Sequence, residues 1–284
     1  MLLPLCCILF VACTSEYDAD TAESNYKPIT GKQMVASVKT SESVDGRDYV
    51  WEHQFSYDAK GRIKSVKSDV KSYRAVEYDN ATDYLEYTAL STANYIYNGA
   101  QLEVEFSFKL NYPSSPSLNT GSSSKDSGHF NRSGALTRFS ALDFVYSGSI
   151  LRQAYDDYGV YYTIERDGEN VVSHSVFETE SDSHISTSKR YFYSPIANET
   201  NFDFSAYFGY WGVERSLGLR SDVSYYALYQ LGAFGMLGTT SKELPWGVIE
   251  NGKRVYGEWS YDSKGRPSLF VDADGVKTEV TYAD

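Results

Sequence analysis

The sequence predicts an all-β protein, an antiparallel meander of about 14–16 strands curled into an open barrel or strongly curved sheet, with one α-helix near 222–235. Two observations carry this. The stretch AQLEVEFSFKLNY (100–112) alternates strictly, with Leu102, Val104, Phe106, Phe108 and Leu110 on one face and Glu103, Glu105, Ser107, Lys109 and Asn111 on the other. Period two sustained over that length marks a strand with one buried and one wet face. The second observation is the density of reversals. Asp45-Gly46, Asn98-Gly99, Asp167-Gly168, Asn251-Gly252 and Asp274-Gly275 are two-residue hairpin signals whose central positions call for positive φ, and Ser147-Gly148 is a weaker relative.

A longer reversal occurs twice. HQFSYDAKGRIKSV (53–66) and GEWSYDSKGRPSLF (257–270) share Ser-Tyr-Asp-x-Lys-Gly-Arg. Asp58 is expected to fold its carboxylate onto a nearby backbone N–H while Ala59 and Lys60 make a type I turn. Gly61 then takes the left-handed position. Asp262 and Gly265 repeat the arrangement, and YIYNGAQL (95–102) and FVYSGSIL (144–151) are looser echoes that keep a tyrosine before the turn.

Two regions break the rhythm. PSSPSLNTGSSSKDSGHFNRSG (113–134) reads as a long serine-rich loop without pattern. In SDVSYYALYQLGAFGMLG (221–238), Ser221 or Asp222 caps a helix that is apolar on nearly every face and that Gly235 and Gly238 end. Such a helix belongs inside or across the sheet.

Charge narrows the partners. The formal charge of −12 and pI near 4.8 argue against nucleic acid and anionic lipid surfaces as unspecific partners. All three cysteines, Cys6, Cys7 and Cys13, lie within the first thirteen residues, so the body can form neither a disulfide nor a cysteine-ligated metal site. MLLPLCCILFVAC is an uncharged run too short to span a bilayer and suited to a signal core. Its end, FVAC, resembles the lipobox of bacterial lipoproteins, in which the cysteine becomes the first residue and receives acyl chains such as palmitate. Phe10 stands where leucine is usual, and no Lys or Arg precedes the run. The organisation expected is a signal peptide over 1–12, a tether over 13–30 anchored at Cys13, and a single β-rich domain over 31–284. The tether is polar and acidic, and Glu16, Asp18 and Asp20 resemble the export signal of Bacteroidetes surface lipoproteins. Asp20-Thr21-Ala22 resembles the short O-glycosylation motif of the same bacteria.

The paired YDxKGR hairpins, the aromatic-rich helix and LGTTSKELPWGV (237–248), followed by YDSKGR and TEVTY, resemble a family of Bacteroidetes lipoproteins of unknown function described as having a porin-like fold. The resemblance covers most of residues 35–284. It implies a fold and an outer-membrane, cell-surface address, and it implies no activity. YDxxGR also resembles the tyrosine–aspartate repeats of toxin and adhesin shells, though only two strict copies are present. A membrane-spanning barrel is not expected. Lys64 and Lys67 have opposite parity, so one would face lipid at a cost of about 2–4 kcal/mol, and the TYAD end lacks a terminal aromatic residue.

Candidate chemistry is sparse. The sequence has no G-x-S-x-G, H-E-x-x-H, P-loop or dinucleotide fingerprint. The histidines are His53, His129, His174 and His184; with a turn at 180–183 the last two stand roughly 17 Å apart, too far to share a metal. Glu103 and Glu105 share a solvated face, and DADG (272–275) reads as a hairpin turn and not as a calcium loop. FDFSAYFGYWG (202–212) packs six rings into a short span, and its Tyr210 and Trp211 are the candidate ligand-binding pair, with core filling as the more ordinary role. The reading is a monomeric, non-catalytic binding or interaction module without cofactor or metal. Its ligand is a glycan, a lipid or a protein; the alternative is a structural accessory of an outer-membrane assembly. Less favoured is a hydrolase with a non-local Asp, Glu and Tyr site.

Overall fold

The computed structural model describes residues 33–78, 81–140, 142–155, 161–177, 186–208, 230–250 and 253–283. Among them sixteen strands run β1 (Val35–Val44), β2 (Arg47–Tyr57), β3 (Ile63–Tyr78), β4 (Ala81–Asn98), β5 (Gln101–Asn111), β6 (Thr120–Phe130), β7 (Leu136–Phe139) and β8 (Leu142–Ser147). They continue as β9 (Ile150–Tyr155), β10 (Tyr161–Asp167), β11 (Asn170–Phe177), β12 (Ser186–Ala197), β13 (Glu243–Glu250), β14 (Lys253–Tyr261), β15 (Pro267–Asp272) and β16 (Lys277–Tyr282). Each strand pairs antiparallel with its sequence neighbours, and β1 pairs with β16, so the meander closes completely. The curl inferred from the sequence is therefore carried through to a closed barrel.

Inside and outside follow from the alternation. On β5, Leu102, Val104 and Phe106 are buried in the lumen, while Glu103 and Glu105 lie outside and pair with Lys125 of β6 at 2.5 and 3.9 Å. Lys39–Glu279 and Lys71–Glu86 are further cross-strand pairs on that outer wall. Lys64 and Lys67 are both exposed, which their parity did not anticipate. The register shifts between Ser56↔Ser65 and Tyr57↔Ile63, and this bulge holds Lys64 and releases both lysines to the outside.

The paired aspartate turns are nearly superposable in their bonding. Asp58 accepts the N–H groups of Lys60 and Arg62 and the Arg62 side chain; Asp262 does the same with Lys264 and Arg266. Gly61 and Gly265 both have φ of +77°. Two further copies escaped the sequence reading: Asn131 serves the N–H groups of Ser133 and Ala135, and Asp272 serves those of Asp274 and Val276. Asp274-Gly275 thus belongs to a longer turn that opens at Asp272. Of the two-residue signals among the described residues, only Asp45-Gly46 has positive φ at both positions. At 98–99, 147–148 and 167–168 the reversal slips by one residue, so that glycine takes the first central place, the alternative hairpin geometry. Residues 251–252 lie outside the described residues.

Tyrosines fasten one rim of the barrel. At the even-strand ends, Tyr57, Tyr97, Tyr146, Tyr193 and Tyr282 donate their hydroxyls to the carbonyls of Val35, Ile63, Leu136, Val171 and Pro267, at 2.6–2.9 Å. Each ties the end of an even strand to the start of the odd strand before it, at the rim opposite the turn that joins the two. The guanidinium groups of Arg62 and Arg266 lie 4.3 Å over the rings of Tyr97 and Tyr282.

The serine-rich region expected as a loop contains a short 3-10 turn over Pro116–Leu118 and then strand β6, paired with β5 from Leu110↔Thr120 to Gln101↔His129. Its apolar residues are few because β5 supplies them. What β6 contributes is backbone pairing and small side chains, and a Cβ on Gly128 would stand 2.6 Å from the Arg138 carbonyl oxygen.

These two glycine environments separate strain from crowding. Gly61→Ala meets no atom within 4 Å and pays only for its backbone angle, so urea unfolding should show a loss of about 1 kcal/mol. Gly128→Ala meets backbone and should cost more, about 2–3 kcal/mol.

Candidate functional site

Sixteen strands enclose a lumen wider than the wall's own side chains can fill. The chain between β12 and β13 enters it at the tyrosine rim. The Asn201 side-chain oxygen accepts the Val35 N–H at 2.9 Å, and the Met236 carbonyl accepts the Leu136 N–H. Within this insertion a helical turn over 204–208 and a second over 230–233 bring Phe202, Phe204, Tyr207, Leu231, Phe234 and Met236 to full burial. Asp203 caps the first turn, accepting from Ser205 and Ala206, and its other oxygen takes the Ser241 N–H at 2.8 Å. Phe202 and Phe234 pack on Phe55 at 5.5 and 5.0 Å, and Phe204 on Trp259 at 5.0 Å. Aromatic filling is thus the role of most of FDFSAYF. Residues 209–229 lie outside the described residues, and with them Tyr210, Trp211 and most of the helix expected over 222–235.

Toward the opposite rim the lumen holds a cavity of about 360 Å³. Its floor is Phe208, with Thr40 and Thr278 beside it. Its walls are Tyr191, Val248, Val255 and Phe270, inward residues of adjacent strands. Glu42, Asp272, Asp274 and Lys253 stand at the mouth, the last two paired at 2.5 Å. Among the described lining residues, three carboxylates stand against one ammonium. Burial raises the Asp272 carboxyl above its ordinary range, partly offset by the N–H groups of Val276 and Asp274. The opposite holds at the rim turns. At Asp58 burial raises the carboxyl, but the Arg62 hydrogen bonds outweigh it and the net shift is downward.

A polar layer underlies the cavity. Thr40 bonds Tyr207 at 2.9 Å and Thr278 at 3.1 Å, and His53 bonds Ser68 at 2.8 Å while its ring meets Tyr207 edge to face. Complete burial lowers the His53 imidazole to about 4. The folded state therefore holds it neutral. That contribution is whole above pH 6.5 and is lost as pH falls toward 4, roughly 3 kcal/mol in all. Urea unfolding of the wild type and His53→Gln should diverge across this window, the wild type losing more stability on acidification.

The remaining candidates resolve into structure. Glu103 and Glu105 are outer-wall ion-pair members, and His129 is exposed on β6. His174 belongs to β11, and His184 lies outside the described residues. Cys13, like all of residues 1–32, lies outside them too. Ser205, Ser241 and Asp203 form a buried cluster, with 2.7 Å between the two hydroxyls, that joins the insertion to β13 and, through Tyr193, to β11. No cluster of three or more metal-ligating residues occurs among the described residues. The luminal cavity itself was missed by sequence reading because its residues come one or two at a time from distant strands; the only local signal was the acidic DADG turn.

No family model and no curated protein matches the chain. Fifteen chains among the solved structures do. A porin-like protein from Bacteroides uniformis ATCC 8492 matches with a TM-score of 0.50 and 11% identity, over 88% of this chain and 98% of its own. A porin-like protein from Bacteroides vulgatus ATCC 8482 covers 88% and 99% at 12% identity, with a TM-score of 0.32. At 11% identity the first likeness shows a shared barrel fold.

Proposed function

We propose that this chain is a non-catalytic barrel, tethered at the outer-membrane surface through Cys13, that holds a small amphipathic ligand with a cationic end in the open half of its lumen. The observation that carries the reading is the cavity: apolar walls of Tyr191, Val248, Val255 and Phe270 beneath an acidic mouth. The wall supports the address. Lys39, Lys71 and Lys125 on its outside pair with acidic residues across strands, charges that a lipid-facing band would not carry, and its lumen is plugged at one end. Because β1 begins at the plugged rim, a tether over residues 13–30 would join the body from that side. The mouth then faces away from the membrane.

A hydrolase using Asp272 is the weaker reading, since one oxygen of that carboxylate already accepts the two N–H groups of its turn. The cationic preference gives a direct test. Dansylcadaverine should bind with enhanced fluorescence and dansylglycine should not, Val255→Phe should abolish binding, and affinity should fall as acid protonates Asp272. Equal binding of both probes, or no effect of Val255→Phe, contradicts the reading.

A further inference from the structure

A second surface lies on the outside of the wall, behind the cavity. Tyr191, Val248 and Val255 line the lumen, so the alternate residues of β12, β13 and β14 face outward. They form two neighbouring cross-strand rows: Arg190, Ile249 and Arg254, then Phe192, Gly247 and Tyr256. The register shifts between Phe192 and Tyr193, and the extra residue opposite is Trp246. This bulge lays the indole on the Tyr256 ring, with centroids 4.8 Å apart and planes 19° from parallel, and brings Phe192 to its edge at 6.4 Å. Gly247 makes room, since a Cβ there would stand 2.5 Å from the Tyr256 ring. Trp246 nevertheless keeps 38% of its surface exposed. The sheet here presents an aromatic plate.

The charge beside the plate is positive. Arg190 and Arg254 are exposed, and neither has an ion-pair partner among the described residues. They flank one strand, so their backbones stand about 10 Å apart. Two neighbouring guanidinium groups beside an aromatic plate suit an anion, and their planar forks fit carboxylates. The plate stands on the outer wall of the closed barrel, unlike the concave sites that enclose small molecules. A plate with cations along one side fits a long ligand whose rings offer apolar faces and whose acid groups project from them.

We propose that this plate binds an acidic glycan, a pyranose ring stacking on the exposed face of Trp246 while its carboxylate is taken by Arg254 and Arg190. The site is separate from the luminal cavity and does not depend on it. Affinity electrophoresis of the intact protein tests it, with polygalacturonate in the gel and dextran as the neutral control. Polygalacturonate should retard the protein, dextran should not, and retardation should weaken with salt. Trp246→Ala and the double variant Arg190→Gln/Arg254→Gln should each weaken the interaction by about tenfold; the arginine pair, being exposed, leaves the fold intact. Equal retardation by dextran, or retardation indifferent to the arginine pair, overturns the proposal. So does a plate that proves to be a self-contact, with Trp246→Ala converting a dimer to monomer in sedimentation and no glycan effect.

Discussion

The structure depends on filling a lumen that its own wall cannot fill. With sixteen strands, inward side chains leave a central space. With water on the outside, as proposed, that space must be packed or the apolar inner face stays hydrated. The insertion between β12 and β13 meets the need with rings: Phe202, Phe204, Tyr207 and Phe234 occupy the axis and meet the wall at Phe55 and Trp259. Polar atoms carried inward are satisfied locally, as Asp203 is by the turn it caps and by Ser241. The cavity is the part of the lumen left over near the far rim.

The rim hardware follows from the same demand. A closed meander must start and stop every strand at a defined height; Asx-headed turns at Asp58, Asn131 and Asp262 help to do so at the tyrosine rim, and a fourth, at Asp272, at the mouth. At the tyrosine rim the hydroxyls then tie each even-strand end to the start of the odd strand beside it, which explains part of the unusual tyrosine content. In the proposed reading this end faces the membrane and stays shut, and the looser, acidic end meets ligand.

Much of this was legible in the sequence. The strict alternation of residues 101–111 and the YDxKGR turns led to a β meander of about the right strand number. Closure was not legible, because the pairing of Val38 with Val280 spans almost the whole chain and leaves no local trace. Strand β6 was hidden because its partner carries the apolar residues. The slipped hairpins at Gly99, Gly148 and Gly168 show that a dipeptide signals a reversal without settling its register. The candidate sites were least legible. The cavity and the outer plate are assembled from single residues on neighbouring strands, and Trp246 reaches its place only through a bulge.

The central claim is that water, not lipid, surrounds the wall. Because the body lacks cysteine, single spin labels can be placed at residues 103 and 105 on the outer face of β5. Their collision rates with oxygen and with a polar nickel chelate would be compared in the presence of lipid vesicles. The account predicts high accessibility to the chelate at both positions; preferential access to oxygen, the signature of an acyl-chain environment, would contradict it.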